Sequence, residues 1–359
     1  MNKYKILLLP GDGVGPEIMK EAVKVIDTLN SIDKSHISYS YADIGGIAID
    51  NLGVPFPENT SIQCRDSDAI LLGAVGTKKH DKNENTLKPE TGLLQLRKSL
   101  DLFINIRPIF IFDSLIHSSS LKSDLLDNLD IVIVRELVGD VYFGEPRGFT
   151  GSENKIGFNT MKYSMDEVNR IADYAFKLAQ KRKNKITSVD KANVLEASQV
   201  WRETVSELHK NDYENVDLSH MYVDNAAMQL VKDPRQFDII LTGNLFGDIL
   251  SDEASMLTGS IGMLPSASLS DNNAVYEPIH GSAPDIANKG VVNPIAMILS
   301  LGMMFEYSFN NKDISSLIKK SIGNVLKAGI YTQDISDSEN FVSTSDMGDA
   351  IIKEIKQNV

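Results

Sequence analysis

Lys5-Ile-Leu-Leu-Leu-Pro-Gly-Asp-Gly-Val-Gly-Pro-Glu17 is the stretch on which the fold reading turns. Residues 6–9 are apolar without alternation, as in a parallel strand covered on both faces. Gly11, Gly13 and Gly15 then make a turn, and Pro16 with Glu17 opens a helix. Proline fits the first helical position, and a carboxylate suits the positive helix end. Ile18, Ala22, Val25, Ile26 and Leu29 share one face of that helix. Strand, glycine turn and helix form a candidate phosphate cradle. As a dinucleotide fingerprint the loop is poor, because Pro16 and Glu17 stand where the third glycine belongs. Residues 38–43 and 68–75 read as further strands, so residues 5–76 alternate strand and helix and predict an α/β sheet.

The totals narrow the function. A chain of 359 residues with 42% hydrophobic content supports two domains with full cores. A net charge of −13 argues against nucleic acid or an anionic membrane as partner, so positive charge for an anionic ligand must be local. The single cysteine, Cys64, fits a reducing cytoplasm. The N-terminal apolar run is too short for a signal peptide, and no run reaches membrane-spanning length.

Charged residues cluster at the ends of apolar runs. Residues 238–242 read as a strand, Gly243-Asn244 as a turn, and the following residues as a helix. Asp248 and Asp252, four apart, share a face of that helix. A hard divalent ion such as Mg²⁺ or Mn²⁺ suits such carboxylates; a solvated acidic face is the alternative. Asp224 closes a strand expected over residues 220–224. Residues 102–106 and 131–134 read as strands that close on Arg107 and Arg135. With Arg97 they form a possible set of guanidinium forks for carboxylates, although each arginine alone also fits a surface ion pair. Glu90, Leu93, Leu94 and Arg97 fall on one side of a helix. That side reads either as a core edge with a snorkelling arginine or as a pocket wall for an anion and an aliphatic group. Lys191 follows Asp190 at a strand end and suits either a desolvated base or an ion pair. Residues 77–89 read as a mobile loop, and residues 138–163 as an excursion from the body. Tyr142 there is either core filler or a proton donor. Between residues 276 and 287, His280, Gly281, Ser282 and Asp285 offer a ring, backbone N–H groups and an acceptor for a ribose diol, on a loop that spacing alone leaves irregular.

Taken together, LPGDGVGPEI, ETGLLQLRKSLDLFINIRP, VRELVGDVYFGEPRG, VDKANVLEASQVWR, TGNLFGDILSDEASMLTGSIGMLPSASL and YEPIHGSAPDIANKGVVNP resemble the isocitrate/isopropylmalate dehydrogenase family over essentially the whole chain. The resemblance implies a two-domain, non-Rossmann α/β fold with a mixed sheet and a dimerisation arm over residues 138–163. The first, NAD-binding domain spans 1–102 plus 259–359, and the second, dimerisation and metal-binding domain spans 103–258. It implies a cytoplasmic homodimer whose active sites are shared, Lys191 and Asp224 coming from the partner subunit. Arg97, Arg107 and Arg135 are implied for the substrate carboxylates, with Asp224 also against the substrate. Asp224, Asp248 and Asp252 are implied for Mg²⁺ or Mn²⁺, and Tyr142 and Lys191 for proton transfer. Glu90, His280, Gly281, Ser282, Ala283, Asp285 and Asn293 are implied for NAD, with Asp285 toward the adenosine ribose.

The implied reaction is NAD-dependent oxidative decarboxylation of an α-hydroxy dicarboxylate. Leu93 and Leu94 select 3-isopropylmalate, as in leucine synthesis, because two leucines strand a third carboxylate in an apolar wall. Asp285 favours NAD over NADP. One departure stands out. After Gly76 the family continues with glycine, proline and tryptophan, whereas this chain has Thr77-Lys-Lys-His-Asp-Lys-Asn-Glu-Asn-Thr86. The nearest rival is the same chemistry on malate, tartrate or homoisocitrate. More remote are Mg²⁺-dependent phosphoryl transfer, disfavoured by the lack of a Walker-type loop, and a non-catalytic anion-binding protein.

Overall fold

The computed structural model describes residues 3–358. In chain order the strands are β1 (Tyr4–Gly11), β2 (Ile37–Tyr41), β3 (Ala69–Ala74), β4 (Ile104–Phe110), β5 (Asp130–Glu136), β6 (Gly148–Thr150), β7 (Ile156–Phe158), β8 (Lys185–Asp190), β9 (Asp217–Tyr222), β10 (Ile239–Thr242), β11 (Pro265–Leu269) and β12 (Ala274–Pro278). The helices are α1 (Gly15–Ser31), α2 (Gly46–Leu52), α3 (Glu58–Arg65), α4 (Pro89–Ser99), α5 (Met165–Ala179), α6 (Glu196–Asp212), α7 (Val223–Lys232), α8 (Asn244–Ser255), α9 (Ile295–Tyr307), α10 (Lys312–Lys327) and α11 (Thr344–Gln357). Two compact units result. One comprises Met1–Leu102, Ile111–Ser120 and Ser255–Val359; the other comprises Phe103–Phe110 and Leu121–Ala254.

In the first unit the strand order is β2-β1-β3-β12-β11. The first four are parallel and β11 runs antiparallel to β12. The apolar runs predicted this: Ile6 to Leu9 and Ala69 to Leu72 are almost wholly excluded from solvent. Helix α9, buried from Ile295 to Phe305, packs on β11, β12, α1 and α10. The glycine turn, read as a candidate phosphate cradle, spends most of its amides on the protein: Asp12 N–H donates to Ala74 O (2.7 Å), Val14 N–H to Ser282 O (2.9 Å) and Gly15 N–H to Asp12 O (2.9 Å). The Asp12 carboxylate in turn accepts from Gly46 N (2.8 Å), Ile47 N (2.9 Å) and Gly76 N (2.8 Å). Residues Ile111–Ser120, expected in the second domain, group with the first unit instead. Tyr331 Oη donates to Ser114 O (3.4 Å) and Ser118 Oγ to Ile335 O (3.4 Å).

In the second unit the order is β4-β5-β10-β8-β9, with β4 antiparallel to β5 and the rest parallel. Helix α5 starts with the expected capping box, Ser164 and Glu167 exchanging hydrogen bonds. Within residues 138–163, β6 and β7 form an antiparallel hairpin with Phe149, Ile156 and Phe158 exposed. Two boundaries differ from the sequence reading. Arg107 lies within β4, because the strand runs through Pro108. Val132, opposite Pro108, donates its N–H to Asp238 O (2.9 Å), so that pair asks no donor of proline. Asp224 does not end a strand but sits in the first turn of α7, where a carboxylate suits the helix end.

Close packing at the start of α1 gives a direct test. A Cβ on Gly15 would lie 2.1 Å from Pro10 O and 2.8 Å from Ala74 N, both backbone atoms that cannot swing aside. Gly15→Ala is expected to cost about 1–3 kcal/mol, read as a lower thermal midpoint; an unchanged midpoint would refute this packing.

Candidate active site

In the second unit, β4 carries Asn105 and Arg107 and β5 carries Arg135. Register sets Asn105 opposite Arg135. Both arginines are buried, Arg135 to 1% exposure and Arg107 to 5%. A buried guanidinium needs acceptors. Arg107 Nε donates to Asn105 Oδ1 (2.8 Å) and Nη1 to Ser251 Oγ. Arg135 donates to Asn244 Oδ1 from Nε (3.1 Å) and Nη2 (2.7 Å), and to Asp248 Oδ1 from Nη1 (2.6 Å). Helix α8 can lie this close because Gly247 faces the arginine; a Cβ there would meet Arg135 Cγ at 2.6 Å. Arg107 Nη1 is 3.5 Å from Asp248 Oδ1 and 3.9 Å from Asp252 Oδ1. Tyr142 Oη donates to Asp248 Oδ2 (2.8 Å). The structure thus brings Arg107, Arg135, Tyr142 and Asp248 together, with Asp252 one turn further along α8.

Asp252 has its pKa raised, first by burial and then by the charge of Asp248, while Arg107 and Arg135 oppose the shift. Two neighbouring carboxylates with a phenol suit a hard cation that fills its remaining positions with substrate and water. Among the described residues no group of three His, Cys, Asp or Glu side chains converges as a metal site. Asp224 is therefore not gathered with Asp248 and Asp252 inside one chain. It pairs with Lys191, which follows β8, and the Lys191 hydrogen bond lowers its pKa. Asp190, beside Lys191, is tied instead to Arg202 by two hydrogen bonds of 2.9 and 2.8 Å.

In the first unit, α4 holds Arg97 buried, Leu93 and Leu94 half-buried and Glu90 exposed. Arg97 Nη2 donates to Glu277 Oε1 (3.1 Å), and its Nε is buried with no hydrogen-bond partner, which leaves a donor for an anion. The same unit holds a cavity of about 510 Å³ lined by Ile261, His280, Ala283, Ile286, Asn293 and Asp334. Its size and apolar walls suit a planar heterocycle. His280 Nε2 is buried without a partner, and burial lowers the pKa of the ring, favouring its neutral form. These features fit a nucleotide cofactor. Gly281 also lines the cavity, Ser282 is buried beside Gly13, and Asp285 is exposed.

Several residues of these sites were not foreseen. Asp334 accepts from Ser260 (2.5 Å), Thr332 (2.6 Å) and Asn293 (3.1 Å), and nothing in the run Tyr331-Thr-Gln-Asp334 marks it. Glu136, Asp140 and Tyr163 fix the start of α8: Asn244 N–H donates to Tyr163 Oη (2.9 Å), Tyr163 Oη to Glu136 Oε2 (3.1 Å), and Leu245 N–H to Asp140 Oδ2 (3.1 Å).

The model of the isocitrate/isopropylmalate dehydrogenases matches residues 5–351. This chain belongs to the isocitrate/isopropylmalate dehydrogenase family. Among its relatives, the 3-isopropylmalate dehydrogenase of Neisseria meningitidis serogroup A is 54% identical over 358 residues, covering 98% of this chain and 99% of that protein. That of Wolinella succinogenes is 52% identical over 353 residues, covering 98% of each. The crystal structure of isocitrate dehydrogenase from Methylococcus capsulatus superposes with a TM-score of 0.89 at 31% identity, over 99% of this chain and all of the other. The mixed α/β architecture is thus the family's fold, and no described helix is long and apolar enough to cross a membrane.

Glu136 supplies a pH test of the frame behind the family's site. Burial pushes its carboxyl up to about 7 from 4.5, against hydrogen bonds from Val138, Gly139 and Tyr163. The folded state therefore binds the proton more tightly than the unfolded one. This group's contribution to stability is complete below about pH 4.5 and is lost as pH rises through about 7. The wild-type stability minus that of Glu136→Gln should fall across this window and be flat on either side. A difference independent of pH would refute the assignment.

Proposed function

We propose that the chain catalyses the NAD⁺-dependent oxidative decarboxylation of 3-isopropylmalate to 4-methyl-2-oxopentanoate and CO₂, in leucine synthesis in the cytoplasm. The buried Arg107–Arg135 pair, gathered with Tyr142 on Asp248, carries the reading. Buried guanidiniums suit an anionic substrate that shares them with a cation-binding carboxylate. In this reading Arg107 and Arg135 hold substrate carboxylates, and the free Nε of Arg97 adds a donor. Leu93 and Leu94, half-buried on α4, receive the isopropyl group. Asp248 and Asp252 hold Mg²⁺ or Mn²⁺. His280, Gly281, Ala283 and Asn293, which line the cavity, would hold NAD⁺ together with Ser282, Glu90 and Asp285.

A cation held by Asp248 and Asp252 would supply Lewis-acid polarisation of the substrate oxygens, and NAD⁺ would supply the hydride acceptor. The side chains move the protons. Lys191 takes the hydroxyl proton as C2 is oxidised, and Tyr142 protonates the carbon from which CO₂ has left. The Tyr142 Oη hydrogen bond to Asp248 keeps its proton beside the reacting atoms.

Lys191 and Asp224 act in this proposal across a homodimer, completing the site of a second copy. Two observations support it: no three metal-ligating groups converge among the described residues, and Tyr222, Met228 and Val231 at α7 and Ile249 on α8 are exposed apolar side chains. The β6–β7 hairpin is the proposed arm.

Purified protein with NAD⁺ and Mg²⁺ should form NADH with 3-isopropylmalate and lose that activity to a chelator. Preferred turnover of malate, tartrate or isocitrate would overturn the substrate assignment. A second measurement tests sharing. Lys191→Met and Asp248→Asn are each expected to be inactive, yet subunits exchanged between them should recover about a quarter of wild-type activity, since half the dimers carry one intact site. No recovery in verified mixed dimers would put both residues in one chain's site.

A further inference from the structure

At the carboxyl end of β8, Asp190 is buried to 1% exposure and directly precedes Lys191. A buried carboxylate needs partners. Arg202, on the helix α6 that follows β8, supplies a two-pronged one: Nε donates to Oδ2 (2.9 Å) and Nη2 to Oδ1 (2.8 Å). Oδ1 also accepts from Ala192 N–H (2.9 Å), so both carboxylate oxygens are engaged. The backbone of Lys191 is held as well. Its N–H donates to Ser198 Oγ (3.1 Å), and its carbonyl accepts from the N–H groups of Val194 and Leu195 (3.0 Å each).

Register in the β8–β9 ladder sets Asp190 beside Tyr222, the residue before α7. The Tyr222 ring is shared by two cations. The Arg202 guanidinium carbon lies 4.8 Å from its centre and Lys191 Nζ 6.0 Å. Lys191 Nζ is thus near the Asp190–Arg202 pair, yet the carboxylate it pairs with is Asp224, two residues past Tyr222. Two cations near one carboxylate compete for it, and the planar fork of a guanidinium matches a carboxylate better than an ammonium does. Without Arg202, Asp190 would be a buried carboxylate lacking its counter-charge, and the ammonium of the next residue would be drawn to it.

We propose that Arg202 is a positioning residue for Lys191: by occupying both oxygens of Asp190, it keeps that carboxylate from capturing the ammonium, which stays with Asp224 and free to reach the substrate hydroxyl. The inference rests on the proton-transfer role proposed above for Lys191 and deepens it. Arg202 acts through Asp190 and carries no proton itself.

The test is turnover of 3-isopropylmalate, carrying hydrogen or deuterium at C2, by the purified wild type, Arg202→Gln and the double variant Asp190→Asn/Arg202→Gln, with saturating NAD⁺ and Mg²⁺. Arg202→Gln should lower kcat about 10- to 100-fold and change KM less than about threefold. It should also raise the deuterium isotope effect on kcat, because a displaced base slows the step at C2, whereas a mere loss of folded enzyme leaves that effect unchanged. The double variant should recover most of the lost kcat, since an amide carries no charge to attract Lys191 yet still accepts from Ala192. An unchanged isotope effect in Arg202→Gln, or no recovery in the double variant, overturns the role. A crystal structure of Arg202→Gln reads the geometry without turnover: Lys191 Nζ should lie against Asp190, and Nζ still on Asp224 overturns the role whatever the kinetics. No turnover of 3-isopropylmalate by the wild type would instead refute the substrate assignment, and the crystal structure would still decide what Arg202 does for Lys191.

Discussion

Two guanidinium charges sit inside a sheet, and much of the second unit is arranged to keep them there. Arg107 and Arg135 occupy buried positions on adjacent antiparallel strands, where an uncompensated cation would be strongly destabilising. Asn105, Asn244 and Ser251 supply neutral acceptors, and Asp248 supplies the counter-charge. Those acceptors come largely from α8, so the position of that helix follows from the arginines. Its first amides are held by Tyr163 and Asp140, and Gly247 removes the side chain that would hold it away. A charge that must be neutralised is thereby turned into an ordered anion-binding surface. Such preorganisation spares a bound substrate the cost of orienting these dipoles.

The first unit solves a different problem with neutral means. Its glycine turn lies against the loop at Ser282, and backbone hydrogen bonds hold the amides of Asp12, Val14 and Gly15. What is left for a ligand is an apolar cavity with a few polar atoms at its wall, of which His280 Nε2 is one. Binding there draws on shape and apolar contact more than on charge, in contrast to the arginine-lined site.

β1, β3, β5, β8 and β10 were legible because buried strands are apolar runs, whereas β12 lay hidden in a stretch that read as an irregular loop. Helices such as α1, α4, α5 and α8 were legible from period and caps, as Ser164 and Glu167 illustrate, while the short α2 and α3 were not. Asp248 and Asp252 were legible because helical spacing alone puts them on one face. Local pattern failed where the ladder decides. Pro108 looked like a strand end, yet it faces Val132 across a pair that needs no proline donor. Asp224 looked like the last residue of a strand because Met221 to Val223 carries no break, although the backbone turns helical there. Contacts between residues far apart in sequence were out of reach altogether. Arg135 meets Asp248 across 113 positions, and Lys78 meets Asp285 across 207, with nothing near any of the four to name its partner. The anchoring of residues 77–86 was hidden for the same reason, since it depends on Asp50 and Asp12.

The Asp12 carboxylate accepts hydrogen bonds from the adjacent amides of Gly46 and Ile47 and from the distant amide of Gly76, which leads into the loop of residues 77–86. The loop's other end enters α4 at Pro89. Both ends are thus secured by groups outside the variable sequence, and the closure entropy of such a segment changes only slowly with its length. A segment of this kind is an exchangeable cassette. Its sequence can change without touching Arg107 on β4, Arg135 on β5 or Asp248 on α8.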